Sequence, residues 1–410
     1  MPVPELLAIP SNYQPDLYGH GDILDECPAP VLEAGVGKTV LNGTVVVIDG
    51  KTHLAYREAG VEFGRPGEYE SSVWVADGVR GDGGDDGMAF EKRSEPLIVA
   101  TEPDEMGLGI EDPRAVVSME NGRRRIRVTY NAASLDADGG TPRVIIKHGE
   151  ASPDLSQFRK YGRLVGSGSP EQSRMKAGVF GPMAKGRLPV LWTPFSESPA
   201  GVIMKAFKTP TELEAGGISS LDLADMYMNK RSEHVLLAPS STYGSKALER
   251  GPEVGATPIM TDKGLLMFYC PPNYGSKKQW CVGALLLNPK TYQVIGRIDD
   301  LIVPSAEGEV DGIINGEGEP IRATFPSGST YDRKTGRVRV YFGKNDVVMC
   351  VAEGDMDELL NALLATGNTR QNRERMAELH YAQFKGRLQL DERQLGELTI
   401  RALSAPNWPY

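Results

Sequence analysis

A chain of 410 residues with 45 basic and 55 acidic side chains carries a formal charge of −10, and 40% of it is hydrophobic. That is enough apolar material for a real core, while the acidic excess, with no basic stripe to offset it, argues against a nucleic-acid partner. Its 47 glycines and 29 prolines are roughly a fifth of all residues, above the usual ~12%, and point to many tight turns between short strands.

Residues 1–36 read as an irregular, Pro-rich lead-in. No basic region precedes an apolar run there, so no signal peptide is expected, and no apolar stretch nears the ~18 residues of a membrane helix. Four cysteines at unrelated spacings, Cys27, Cys270, Cys281 and Cys350, read as free thiols of a reducing compartment. A cytoplasmic protein without nucleic-acid or membrane partners is the expectation.

Strands follow in a repeating figure. VLNGTVVVIDGKTHLAYRE gives two strands around an Asp49-Gly50 turn, and RAVVSMENGRRRIRVTYNA repeats it around Asn121-Gly122. Further hairpins turn at Lys185-Gly186, Lys263-Gly264 and Thr335-Gly336, and each is followed by another apolar strand. With Asn42, Asp112, Val179, Ala256 and Thr324 taken as equivalent, the unit recurs about every 70 residues, the signature of radial repetition. A two-sheet sandwich or a string of small domains explains the near-constant spacing less well. The fold class expected is all-β: a five-bladed β-propeller over residues 37–355, with helices in the C-terminal extension 356–410. Helical spacing marks 356–366, 370–385 and Asp391 to Leu403, and a partly helical insertion precedes the fourth hairpin near TELEAGGISSLDLADMYMNKRSEH.

Several tempting motifs fail. GVGKT at 35–39 has Leu32 where a phosphate-binding loop needs glycine, and it runs into a strand. GDGGDDG at 81–87 puts Gly84 at a liganding position of a calcium loop, so a solvated acidic turn is the better account. The five histidines make no metal-spaced pair, there is no Cys-x-x-Cys, and no nucleophile elbow is present. Neither a metal nor an organic cofactor is expected. The informative segment is GIEDPRAV, residues 109–116, at the start of an inner strand. Side chains alternate along a strand, so only one of Glu111 and Asp112 is expected to face the channel, with the other bracing Arg114 or the backbone. The spacing alone fits a structural Asp/Arg pair equally well.

Four segments in the right order make the sequence similar to glycoside hydrolase family 130, the mannoside phosphorylases and mannosidases built on a five-bladed propeller. They are the first hairpin with Asn42, Tyr56 and Arg57; GIEDPR; ATFPSGS with Phe325 and Pro326; and YFGKNDVV with Asp346. The resemblance runs from about Val40 to Leu360. It implies an inverting cleavage of β-D-mannosides, with Asp112 as general acid and Asn42, Arg57 and Asp346 holding the sugar at the −1 subsite. Tyr130 or Trp192 would form a stacking wall, and burial would raise the pKa of Asp112 enough to keep it protonated.

The departures concern the nucleophile. Phosphorylases of the family hold phosphate with basic residues, and Lys176 stands at the first such position. Thr193-Pro194 replaces a His-Arg, Tyr269-Cys270-Pro271 replaces Tyr-His-Gly, and the approach to the fourth blade offers Arg250 beside Glu249 and Glu253. Without phosphate, Glu253 or Glu197 would activate water. The resemblance therefore places hydrolysis ahead of phosphorolysis with inorganic phosphate as co-substrate. The same segments would also suit a β-mannosyltransferase using GDP-mannose or mannose 1-phosphate, or a non-catalytic sugar-binding propeller. The expected partner is a small carbohydrate, and the C-terminal amphipathic helices leave room for self-association.

Overall fold

A computed structural model describes residues 23–26, 31–32, 38–60, 71–80, 86–135, 142–166, 175–194, 203–219, 222–223, 226, 234–237, 252–271, 279–302 and 322–366. Its strands form five sheets arranged as the five blades of a propeller. Blade one is Lys38–Ile48, Lys51–Gly60, Ser72–Arg80 and Asp86–Lys92, hydrogen-bonded in that order. Blade two is Gly107–Glu120, Arg123–Leu135, Pro142–Ala151 and Phe158–Val165. Blade three is Met175–Phe180, Leu188–Pro194, Ile203–Lys208 and Val235–Leu237. In blade four the first strand is split into Glu253–Val254 and Ile259–Met260, both against Leu265–Cys270, followed by Val282–Leu287 and Val294–Ile302. Blade five is built on Arg322–Asp332, Arg337–Lys344 and Val348–Asp355, with Gln279–Trp280 added in parallel beside its first strand.

The turns follow from local chemistry. Asp49-Gly50 and Asn121-Gly122 each take two positive φ angles, 51° and 78° in the first and 51° and 75° in the second. That is the turn type whose twist matches the flanking strands, and Asp or Asn followed by Gly tolerates it best. Lys185-Gly186 does the same at 51° and 73°.

Five apolar clusters fill the five spaces between neighbouring blades. Each sheet is therefore covered on both faces, which is why Leu188–Pro194 and Val282–Leu287 are buried along their whole length instead of alternating. The helix Met356–Thr366 seals the outside of blades four and five with Met356, Leu359, Leu360 and Leu363. The helices expected at 370–385 and from Asp391 to Leu403 lie outside the described residues. In the insertion a short helix, Pro210–Glu214, starts at a capping box formed by Thr209 and Glu212. Among the described residues no helix is long and apolar enough to cross a membrane.

The lead-in is not wholly irregular. Leu24–Glu26 is a strand, antiparallel to Val348–Asp355 with Leu24 opposite Gly354, and it forms the outer edge of blade five. A segment near the N-terminus thus closes the ring on the last blade. Leu24 is 3% exposed within the cluster between blades four and five. Leu24→Ala is expected to cost about 2–5 kcal/mol in urea unfolding, the range for a buried leucine truncation. A loss below ~1 kcal/mol would mean that this closure contributes little to stability.

Candidate active site

The site is made by a repeated defect in the first strands. Blades one, two and three each lose register there, between Leu41 and Thr44, Glu111 and Arg114, and Lys176 and Val179. The residue in each bulge has a left-handed backbone: Asn42 at φ 50°, Asp112 at 51° and Ala177 at 54°. Asn and Asp adopt that conformation more readily than other residues with a side chain, and a bulge re-aims side chains where a plain strand would alternate them. The structural equivalent of Asn42 and Asp112 in blade three is accordingly Ala177, two residues before the expected Val179.

This corrects the expectation that only one of Glu111 and Asp112 faces inward. The bulge cancels the alternation, and both carboxylates turn to Arg57. The Arg57 guanidinium donates from Nη2 to Glu111 Oε1 at 2.8 Å, and its Nη1 lies 3.9 Å from Asp112 Oδ1. The Glu111 and Asp112 side chains are 10% and 11% exposed. Asp112 is also held by two amides: Asn42 Nδ2 donates to Oδ1 at 2.8 Å, and Asn131 Nδ2 donates to Oδ2 at 3.1 Å. Asn131 stands opposite Glu111 in the sheet, as Arg57 stands opposite Leu41. Sequence reasoning missed Asn131, although strand alternation makes it the neighbour of Tyr130 that faces the other way.

Asp346 joins the group from blade five. Asn345 and Asp346 both have positive φ, at 54° and 56°, and Asn345 bonds the backbone of Ala323 through its own N–H at 2.8 Å and its side-chain oxygen at 3.0 Å. That clasp fixes the end of the blade-five hairpin and presents Asp346. Burial pushes the Asp346 carboxyl above its ordinary range, and the negative charges of Asp112 and Glu111 add to this against Arg57 and Lys176. Asp112 goes the other way: burial opposes its charged form, but Arg57, Arg114, Lys176 and the Asn42 amide outweigh it and hold the carboxyl low. The expected rise in the Asp112 pKa is therefore not what this geometry provides. Burial alone would raise it, but three cations and two amide donors favour the carboxylate.

Arg114 lies two residues further along the same strand and is fully buried. Its Nε donates to Gly255 O at 2.7 Å, and its Nη1 to Asn42 O at 3.3 Å and Pro113 O at 2.9 Å. Burial pushes this guanidinium down to about 10 against the opposing charges of Asp112 and Glu253. Glu253 is buried at the head of blade four, in register with Cys270. Lys176 is half-buried and acts on both Asp112 and Asp346. Asn42, Arg57, Asp112, Lys176 and Asp346 thus come together, with Glu253 reached through Arg114. Arg250, Glu249 and Glu197 lie outside the described residues.

The aromatic wall is a correction. Tyr130 is 1% exposed in the cluster between blades one and two, and its hydroxyl donates to Glu105 at 3.1 Å, because alternation turns it away from Asn131. Trp192 is 0% exposed between blades two and three for the same reason, one residue before Thr193. Thr193, at the place of the expected His-Arg, accepts the Val254 N–H at 2.9 Å and joins blade three to blade four. A separate acidic trio, Glu102, Asp104 and Glu105, surrounds the Lys147 ammonium at 2.5, 2.6 and 3.0 Å. The lysine occupies the centre of that cluster.

No protein-family model and no curated protein sequence matches this chain. Solved structures do match in fold. The β-1,2-mannobiose phosphorylase of Listeria innocua, in complex with β-1,2-mannobiose, superposes with a TM-score of 0.58 at 16% identity, over 83% of this chain and 99% of that one. A structure from glycoside hydrolase family 130 is described with hydrolases that target β-1,2-mannosidic linkages in Candida mannan. It matches at 0.58 and 17% identity, over 84% and 97% of the two chains. A mannose phosphorylase from Leishmania mexicana, in complex with a phosphate ion, gives 0.53 at 14% identity over 83% and 90%. At these identities the likeness establishes a shared five-bladed architecture.

Proposed function

We propose that the chain is an inverting glycoside-cleaving enzyme acting on β-D-mannosides, with Asp112 as its general acid. One observation carries this: five polar residues from four blades, Asn42, Arg57, Asp112, Lys176 and Asp346, converge where the first strands bulge. Inverting cleavage needs an acid at the leaving oxygen and a nucleophile on the opposite face of the sugar. Arg57 and Asp346 suit paired hydrogen bonds to vicinal hydroxyls. Burial and the negative charge of Asp112 favour the protonated form of Asp346, while Arg57, Arg114 and Lys176 favour the carboxylate of Asp112. In the reaction, protonated Asp112 gives its proton to a hydroxyl of the bound sugar as that hydroxyl gives its own to the glycosidic oxygen. The folds of a β-1,2-mannobiose phosphorylase, a mannose phosphorylase and a structure described with mannan hydrolases support the substrate class.

Hydrolysis is placed ahead of phosphorolysis. Thr193 is engaged in joining blades, so it adds no phosphate ligand, while Glu253 offers a buried carboxylate on the blade-four wall. In that route the C1–O bond breaks as the leaving oxygen takes the proton, water oxygen bonds to C1, and the proton of the water passes to Glu253. Lys176 is the feature that favours phosphorolysis instead, since its charge already acts on Asp112 and Asp346. Incubation with β-mannobiose, with and without inorganic phosphate, decides between them. Mannose released at a rate independent of phosphate is expected. Mannose 1-phosphate as the product would reverse the order, and binding without cleavage in either buffer would leave a sugar-binding propeller.

A further inference from the structure

Asn131 does more than fill space beside Asp112. It is 1% exposed, and its amide has only one orientation that satisfies both neighbours: Oδ1 accepts the Ala177 N–H at 3.3 Å, so Nδ2 must donate to Asp112 Oδ2 at 3.1 Å. A backbone N–H cannot reverse its role, which locks the donor. Asn42 is different. Its Nδ2 donates to Asp112 Oδ1, but its own Oδ1 is buried and has no partner among the described residues. That oxygen faces Gly343, where a Cβ would come within 2.8 Å of it. If the Asn42 amide turned over, its Oδ1 would accept a hydrogen from protonated Asp112 in place of the Nδ2–H bond it now donates.

We propose, on the basis of the glycosidase reading above, that Asn131 is a positioning residue for Asp112. It holds Oδ2 as a permanent acceptor, so the proton in transit is carried on Oδ1, between Asn42 and Arg57, where Asn42 turns its amide to follow it. The O–H bond at Oδ1 forms when Asp112 takes a proton from solvent and breaks as that proton leaves towards the glycosidic oxygen, and Oδ2 is never protonated. The charged groups acting on Asp112 from the surrounding blades are Arg57, Glu111, Arg114, Lys176 and Asp346. None of them supplies a neutral donor, and Asn42, the other neutral donor to Asp112 among the described residues, turns with the proton. The link also ties the carboxyl of blade two to Ala177, the residue that follows Lys176 on blade three.

The test is the alkaline limb of the kcat/KM–pH profile, which falls as the acid loses its proton. The Asn131 donor favours the carboxylate, so removing it makes Asp112 hold its proton to higher pH. Asn131→Ala is expected to move that limb upward by about one pH unit, the scale of one hydrogen bond to a charged group, and to lower kcat ~10–100-fold with KM little changed. Asn131→Asp, which keeps the shape and the packing, moves the limb further in the same direction, because two adjacent carboxyls share a proton. Asn42→Ala moves it less, since Asn42 serves both protonation states. An unmoved limb in both Asn131 variants, with Asp112→Asn still inactive, would overturn the positioning role and leave the glycosidase reading intact. Full activity in Asp112→Asn would overturn both.

Discussion

Asp112→Asn is expected to lower turnover by ~100-fold or more, the range for losing a positioned general acid. The replacement is isosteric, and the site can accept it. Its amide oxygen takes the Asn131 hydrogen bond and its NH2 faces Asn42, whose free oxygen accepts. Folding stability should therefore stay within ~1 kcal/mol of the parent, as for a substitution that leaves buried groups paired. The substrate contacts offered by Arg57 and Asp346 remain, so KM is expected to change little while kcat collapses, the pattern of a group acting in the transition state. Unchanged kcat would remove Asp112 from the chemistry and favour the structural Asp/Arg account of GIEDPR.

Arg114→Met is expected to be the most destabilising change near the site, at about 3–5 kcal/mol in urea or thermal unfolding. The methionine fills similar space, so the loss measures the guanidinium itself. That group bonds carbonyls of blade one at Asn42, blade two at Pro113 and blade four at Gly255, and it lies 5.7 Å from the Phe325 ring of blade five. Its removal leaves three buried carbonyls short of a donor and takes away a cation that acts on both Asp112 and Glu253. Arg114→Lys keeps the charge but loses the planar fork, so it should recover only part of the stability. A loss under ~1 kcal/mol for the methionine variant would show that the blades are held without this tie.

The hairpins could be read directly because their turns are decided by two adjacent residues. Asp49-Gly50 and Asn121-Gly122 need no tertiary contact to specify positive φ, and the spacing of such turns gives the number of blades. The site was legible in part. Asp112, Arg57, Lys176 and Asp346 were all named from the resemblance, and they meet in space. What alternation could not reveal is a bulge, because one extra residue reverses every inside-outside assignment across it. Glu111 was divided from Asp112 for that reason. The same alternation, applied where no bulge intervenes, is what removes Tyr130 and Trp192 from the channel. The strand Leu24–Glu26 left no local mark: three residues show no periodicity, and its partner is set only when the ring closes.

That closure orders events during synthesis. Leu24–Glu26 is made before all five blades, yet its partner Val348–Asp355 is made only with the last of them. Pairing so distant in sequence brings its loop-closure cost before its reward, and it places the last step of folding after translation of the fifth blade. Until then the outer edge of Val348–Asp355 is an open template for a strand from another molecule. A truncated chain lacking Leu24–Glu26 is thus the form of this protein most exposed to edge-to-edge exchange between copies.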